Sequence, residues 1–254
     1  MLFREIHATT PNQWENGWAE NLQNFISSGY DPNSLIPKFI RPNQPIRLGT
    51  EFIQPTNSNF ELSFLKVYRQ WIFKKYLSEV ENVYEFGAGT AFNLLALSEL
   101  FPTKNLHGLD FVSSAVELIS LVGTKLNRNI IGHKFDMIHP NLSLKIPTNS
   151  AAFTFGALEQ LAGRIDAFFE FLLSQPLELC FHVEPVVDLY EETDLFDYLA
   201  YRFHTKRGYT SNLLSTLLNY EKNGRIEILN VRRPKFASLF MEGYSLIVWR
   251  PIKS

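Results

Sequence analysis

The hydrophobic period of this 254-residue chain changes at Asn82. Upstream, Trp14, Trp18, Leu22 and Phe25 recur at helical spacing, and so do Leu65, Tyr68, Ile72 and Tyr76. Downstream, short apolar runs alternate with helical stretches, a pattern that predicts βαβ units and a parallel sheet. The chain is therefore expected to be α/β, with strands near 82–86, 105–110, 129–135, 151–155 and 177–183. Helices fill the gaps. One begins after Thr90, one has Ser114 and Glu117 at capping-box spacing, and one carries Leu158, Leu161, Ile165, Phe168 and Leu172 on a single face. Beyond Pro185 the pattern reads as helical stretches over 187–203 and 211–222, then an antiparallel hairpin of 225–231 and 244–249. Between the first two helices, Pro32, Pro37, Pro42, Pro45 and Pro55 remove backbone donors and predict an irregular loop over 29–58. A loop of that length is a candidate lid.

The first of these strands runs into Glu85-Phe86-Gly87-Ala88-Gly89-Thr90-Ala91, where two glycines let the backbone turn and pass close to a ligand before a helix starts. Asp110 ends the next strand, where a carboxylate can accept both hydroxyls of an adenosine ribose. A dinucleotide fingerprint would require a third glycine at position 92, which is Phe, and an acid stands two residues before Gly87. A glycine turn after a strand is often only a tight connection. Glu85 and Asp110 in step with it favour a nucleoside ligand other than NAD.

On these residues the sequence resembles the class I S-adenosylmethionine-dependent methyltransferases, whose first motif is acidic-x-Gly-x-Gly, here Glu85 to Gly89. Ala91 stands where a third glycine is common in that family. The resemblance runs from about Val80 to Trp249 and implies a Rossmann-like, doubly wound, seven-stranded sheet with an antiparallel last strand beside the fifth. Residues 1–79 would form an N-terminal helical extension with its Pro-rich loop, and 80–254 a methyltransferase domain with a helical acceptor-side insertion at about 187–222. The implied cofactor is S-adenosyl-L-methionine. Asp110 would hold the ribose, Phe111 would lie against the adenine, and Asp136 with the Met137 backbone would read the adenine edge. Gly87 would approach the methionine part, which Glu85 would help orient, with Ala88 and Gly89 also binding the cofactor. The alternative for Asp136 is a residue that only starts a loop.

The acceptor should lie beyond the ends of the fourth and fifth of these strands. There, Thr154 to Gln160 offers small residues with Glu159 and Gln160 as polar substrate contacts, and Cys180 to Pro185 places His182 and Glu184 on one face. Methyl transfer is an in-line displacement, so the protein must align the partners, and a hydroxyl acceptor must also lose its proton. His182 is the candidate base, with Glu184 orienting it or replacing it; the other possibility is a buried histidine satisfied by neighbouring strands. His204, Lys206 and Arg207 could grip an anionic acceptor, with His204 a further catalytic candidate, or could pair as a solvated face with Asp188, Glu191, Glu192, Asp194 and Asp197. Arg232, Arg233 and Lys235 read as a solvated turn. Tyr190, Tyr198, Tyr201 and Tyr209 offer rings that stack on sugars and flat metabolites. From His182 through His204 to Trp249-Arg250-Pro251 the chain also resembles sugar O-methyltransferases of bacterial surface-polysaccharide loci.

The leading expectation is thus metal-free O-methylation of a small or sugar-like acceptor, with no metal site. Phe155-Gly156 and Glu184-Pro185 stand where metal-dependent relatives place their acid ligands. N-methylation and nucleic-acid or protein methylation are alternatives. Against the latter, Gly156-Ala157-Leu158 replaces the Pro-Pro-aromatic loop of the amino-methylating enzymes. The chain also has 24 basic residues against 26 acidic, which gives no field to gather a polyanion. A non-catalytic cofactor-binding subunit is the remaining class. The single Cys180 excludes a disulfide framework, and neither the Met1 to His7 segment nor any later apolar run reads as a signal core or a membrane span. The expected location is cytoplasmic, where the Asn141-Leu142-Ser143 sequon is idle.

Overall fold

The computed structural model describes residues 11–237 and 242–252. The Met1 to His7 segment lies outside the described residues. Two helices, α1 (Pro11–Ser27) and α2 (Phe60–Tyr76), precede the alternating part of the chain. That part comprises β3 (Asn82–Phe86), α3 (Phe92–Leu100), β4 (Asn105–Asp110), α4 (Ser113–Lys125), β5 (Ile130–Lys134), β6 (Ser150–Phe155), α5 (Asp166–Leu173) and β7 (Leu177–Glu184). It continues with α6 (Leu195–Arg207), α7 (Leu213–Lys222), β8 (Ile226–Arg232) and β10 (Ser245–Pro251). The seven strands lie in the order β5-β4-β3-β6-β7-β10-β8. The first five run parallel, and β10 is inserted antiparallel between β7 and β8. The sheet is therefore the doubly wound, seven-stranded one expected, with its antiparallel last strand.

Strand alternation explains why both faces are covered. Val83, Phe153, Phe181 and Val248 point to one side and pack with Leu65 and Ile72 of α2, Leu94 of α3 and Leu118 of α4. Tyr84, Phe86, Cys180 and Trp249 point to the other and pack with Phe168 and Phe169 of α5 and Leu217 of α7. Period two therefore feeds two separate apolar layers, each with its own helices. No helix among the described residues is long and apolar enough to cross a membrane.

Three local expectations need correction. Residues 29–58 are not irregular throughout: a 3-10 turn at Pro32–Leu35 is followed by β1 (Ile46–Leu48) and β2 (Glu51–Ile53). These form an antiparallel hairpin that pairs with β9 (Phe236–Ala237) in a second, three-stranded sheet. The run from Leu158 to Leu172 is not one helix. Ala162 (φ 52°) and Gly163 (φ 77°) are both left-handed and separate a 3-10 turn at Leu158–Leu161 from α5. Ser114 does not cap α4 either. Glu15 of α1 does so, its two carboxylate oxygens accepting from the amides of Ser113 at 3.2 Å and Ser114 at 3.0 Å. An anion thus meets the positive end of the helix and docks α1 onto α4.

Candidate active site

The glycine turn joins β3 to α3 at the carboxyl edge of the sheet. The amides of Gly87 and Ala88 both donate to the Leu109 carbonyl, at 2.7 and 3.1 Å, which ties the turn to β4. Gly89 (φ 52°) takes a conformation that L side chains rarely adopt, and a Cβ there would sit 2.5 Å from the ring of Trp18. Glu85 is buried, and its Oε1 accepts from Asn93 Nδ2 at 2.7 Å while Oε2 has no hydrogen-bond partner. Burial pushes this carboxyl up to about 8, against the pull of Asn93 and the Arg69 guanidinium. Asp110 is also buried. Its oxygens accept from the Gly89 amide at 3.2 Å and the Val112 amide at 3.1 Å, and burial raises it to about 6. Each of those oxygens keeps a further lone pair for a ligand hydroxyl.

Two adjoining cavities open on this turn. The smaller, about 380 Å³, is lined by Asp110, Phe111, Asp136, Met137 and Arg164. Phe111 is 42% exposed there, and Asp136 accepts from the Ile138 amide at 2.8 Å and pairs with His139 at 3.0 Å. The larger, about 600 Å³, is lined by Glu85, Ala88, Gly89, Glu159 and the rings of Phe203, Tyr209 and Tyr244. Trp14, Trp18, Gly87, Gly156 and Gln160 border both. The structure thus brings Glu85, the glycine turn, Asp110, Phe111, Asp136 and Met137 to two adjoining cavities that share part of their walls, with Glu159 on the larger and Gln160 on both.

His182 is not there. It is buried on the α5 side of the sheet, between Thr154 and Trp249. The Trp249 indole N–H can only donate, so His182 Nε2 accepts it at 2.9 Å, which leaves Nδ1 to donate to Thr154 Oγ1 at 3.0 Å. Burial holds the ring neutral, with its pKa down to about 3. A ring with both nitrogens engaged and no access to the cavity is no general base. His204 is likewise buried, its Nε2 donating to the Thr210 carbonyl at 2.5 Å. It joins two segments of the insertion and borders neither cavity.

Glu184 shares a sheet face with His182, as expected, yet it too is buried. Its Oε1 accepts from the amides of Ala157 and Leu158 at 3.0 and 3.2 Å, which caps the 3-10 turn that carries Glu159. Burial raises the Glu184 carboxyl; burial and then the charge of Glu184 raise that of Glu159. Glu159, half-buried at the cavity wall, takes a hydrogen bond from Gln160 Nε2 at 2.8 Å. Arg207 lies behind Tyr209, donating to its hydroxyl at 2.9 Å, whereas Lys206 is exposed on the last turn of α6 and borders neither cavity.

The acids of the insertion have other work. Asp194 caps α6, Asp188 caps α7, and Asp197 forms a buried cluster with Arg47, Arg233 and Glu242. Arg233 is therefore no solvated turn residue. Sequence reasoning missed Trp14, Trp18, Arg69, Asn93 and Tyr244. The two tryptophans share a helical stripe with Leu22 and Phe25, which reads as core, and nothing in the pattern shows that they border a cavity.

No protein-family model matches the chain, and no curated protein does. Solved structures do match. The 16S rRNA methylase ArmA is 14% identical with a TM-score of 0.54, over 92% of this chain and 98% of that one. The (4+2)-cyclase SpnF is 12% identical with a TM-score of 0.60, over 96% and 97%. Geranyl diphosphate C-methyltransferase from Streptomyces coelicolor A3(2), crystallised with Mg²⁺, geranyl diphosphate and S-adenosyl-L-homocysteine, is 8% identical with a TM-score of 0.57, over 97% and 100%. The chain has the Rossmann-like fold of methyltransferases. One neighbour with that fold is a cyclase by name, so the chemistry must be argued from the site.

Proposed function

We propose that this chain is an S-adenosylmethionine-dependent methyltransferase acting on a hydroxyl of a small or sugar-like acceptor. The observation that carries the reading is the pair of adjoining cavities with buried carboxyl groups at two stations, Asp110 and Glu85, and the glycine turn between them. Those stations match the cofactor's ends: a ribose diol for Asp110 and an ammonium for the unpartnered Glu85 Oε2. Phe111 and Met137 would flank the adenine, with Asp136 at its edge. When bound, the cofactor supplies a methyl group made electrophilic by its sulfonium.

The protein then has to align the acceptor, exclude water and take a proton. Trp14, Trp18, Phe203, Tyr209 and Tyr244 wall the larger cavity with rings suited to the apolar faces of sugars and flat metabolites. Glu159 replaces His182 as the proton acceptor. It faces the cavity, and a carboxyl raised toward neutrality is a competent base at working pH. Gln160 and Glu184 orient it, the latter through the turn it caps.

The cofactor is tested by thermal unfolding. S-adenosylhomocysteine at 100 times its dissociation constant should add ~2.7 kcal/mol of stability, and NAD none. A shift with NAD instead would sink the reading. The acceptor is tested by transfer from labelled cofactor to sugars, nucleotide-sugars, phenols and 16S rRNA, the last because ArmA is an rRNA methylase. Glu159→Gln should lower transfer by ~10²- to 10⁴-fold with cofactor binding intact. In the wild type the rate should climb with pH as Glu159 ionises. Efficient transfer to rRNA alone would replace the small acceptor.

A further inference from the structure

Arg69 belongs to α2, in the N-terminal extension, yet it reaches the cofactor turn. The residue is buried and its guanidinium lies over the Phe92 ring, with Cζ 3.9 Å from the centroid. One of its nitrogens donates to the Phe92 carbonyl at 3.0 Å and to Asn93 Oδ1 at 3.1 Å. A guanidinium has only donors, so the Asn93 amide must turn its oxygen toward Arg69. Its NH2 is thereby turned toward Glu85, where Nδ2 donates to Oε1 at 2.7 Å. Glu85 Oε1 is thus an acceptor already in use, and Oε2 is the oxygen left without a partner in a residue that borders the larger cavity. The chain Arg69, Asn93, Glu85 passes one instruction: the carboxyl accepts.

The groups around this chain come from β4, α2, α3 and the segment before β10. Asp110 on β4 opposes ionisation of Glu85, and Arg69 on α2 favours it. Arg69 in turn faces Glu99 of α3 and Tyr244, whose hydroxyl donates to Glu61 of α2 at 2.9 Å. Without the guanidinium, Glu85 would stand desolvated beside a second buried acid.

Resting on the cofactor reading above, we propose that Arg69 is a positioning residue which, through Asn93, presents Glu85 as the acceptor for the ammonium of a ligand's amino-acid moiety. The N-terminal extension would then take part in recognising the amino-acid end of the cofactor and not its nucleoside end. Two probes separate those ends. S-adenosylhomocysteine carries the amino acid, and 5′-methylthioadenosine keeps the nucleoside without it.

Calorimetric titration of the full chain with both probes, from pH 6.5 to 8.5, tests this. At pH 7, Arg69→Met should weaken S-adenosylhomocysteine by roughly 10- to 100-fold, the scale of one hydrogen bond to a charged group, and 5′-methylthioadenosine by less than about 2-fold. Raising the pH should recover part of the loss, because Glu85 alone ionises at higher pH. Arg69→Lys, which keeps a donor cation, should bind nearly as the wild type does. Asn93→Leu should reproduce the selective loss, and it serves if Arg69→Met does not fold. Equal weakening of both probes, or a loss that pH does not change, would show a structural role and overturn the proposal. A wild-type chain that binds neither probe would remove the cofactor reading, and this inference with it.

Discussion

The two ends of the cavity are built in different ways. At the proposed cofactor end, Glu85, Gly87, Gly89, Asp110, Phe111, Asp136 and Met137 follow one another along consecutive parallel strands, whose carboxyl ends the sheet brings together. At the proposed acceptor end, the wall comes from Trp14 and Trp18 of α1, Lys38 and Phe39 of the loop, Glu159 after β6, Phe203 of α6 and Tyr244 before β10. The first end needs only a strand, a turn and a register. The second needs segments far apart in the chain to dock on one another, and its chemistry changes if any of them shifts.

The largest expected effect tests that docking. Arg47 on β1 is 1% exposed and pairs with Asp197 of α6 and, at 3.5 Å, with Glu242, to which Arg233 also binds at 2.6 Å. Arg47→Met leaves two buried carboxylates sharing one cation. A broken buried pair of this kind costs about 3–5 kcal/mol, which should appear as a lower denaturant midpoint and a loosened acceptor end. A loss under about 1 kcal/mol would mean that the loop and the insertion are not held together by these charges.

A smaller effect separates structural from chemical residues on β7. His182→Phe removes the acceptor for Trp249 and the donor to Thr154, both buried, for about 1–3 kcal/mol. Stability should fall while S-adenosylhomocysteine binding and methyl transfer per folded molecule stay as in the wild type. If transfer fell with stability intact, His182 would regain the role of base and Glu159 would lose it.

That pair of residues shows where the sequence was readable. Alternation along β7 correctly places His182 and Glu184 on one face, and the βαβ pattern correctly supplies the strands and the topology. What period two cannot tell is which face carries α5 and α7 and how deeply they bury it, since that depends on Phe169 of α5 and Trp249 packing against the imidazole. The same holds for Trp18: its helical stripe is real, but its contact with Gly89 is set by Glu15 docking α1 on α4. Arg69 gave no signal at all, because an arginine inside an apolar helical stripe looks like any exposed helix residue until Asn93 and Glu85 are placed beside it.

The smallest effect concerns the one departure within the glycine turn. Ala91 stands at φ 60°, ψ 19°, the left-handed conformation that glycine takes without strain. Alanine there carries about 1–2 kcal/mol of backbone strain, which glycine would relieve. Ala91→Gly also frees the unfolded chain, at about 0.4–1 kcal/mol, and removes a methyl group that is fully buried among the helix and sheet contacts, at about 0.8 kcal/mol. The terms oppose one another at similar size, so the net change should stay within about 1 kcal/mol by denaturant unfolding, with S-adenosylhomocysteine affinity unchanged. A large gain in stability would mean that the buried methyl packs poorly and the turn is held under strain. A loss of affinity would mean that the stiffness alanine gives the turn is itself part of cofactor recognition, and would make even the locally built end of the cavity depend on more than its strand, turn and register.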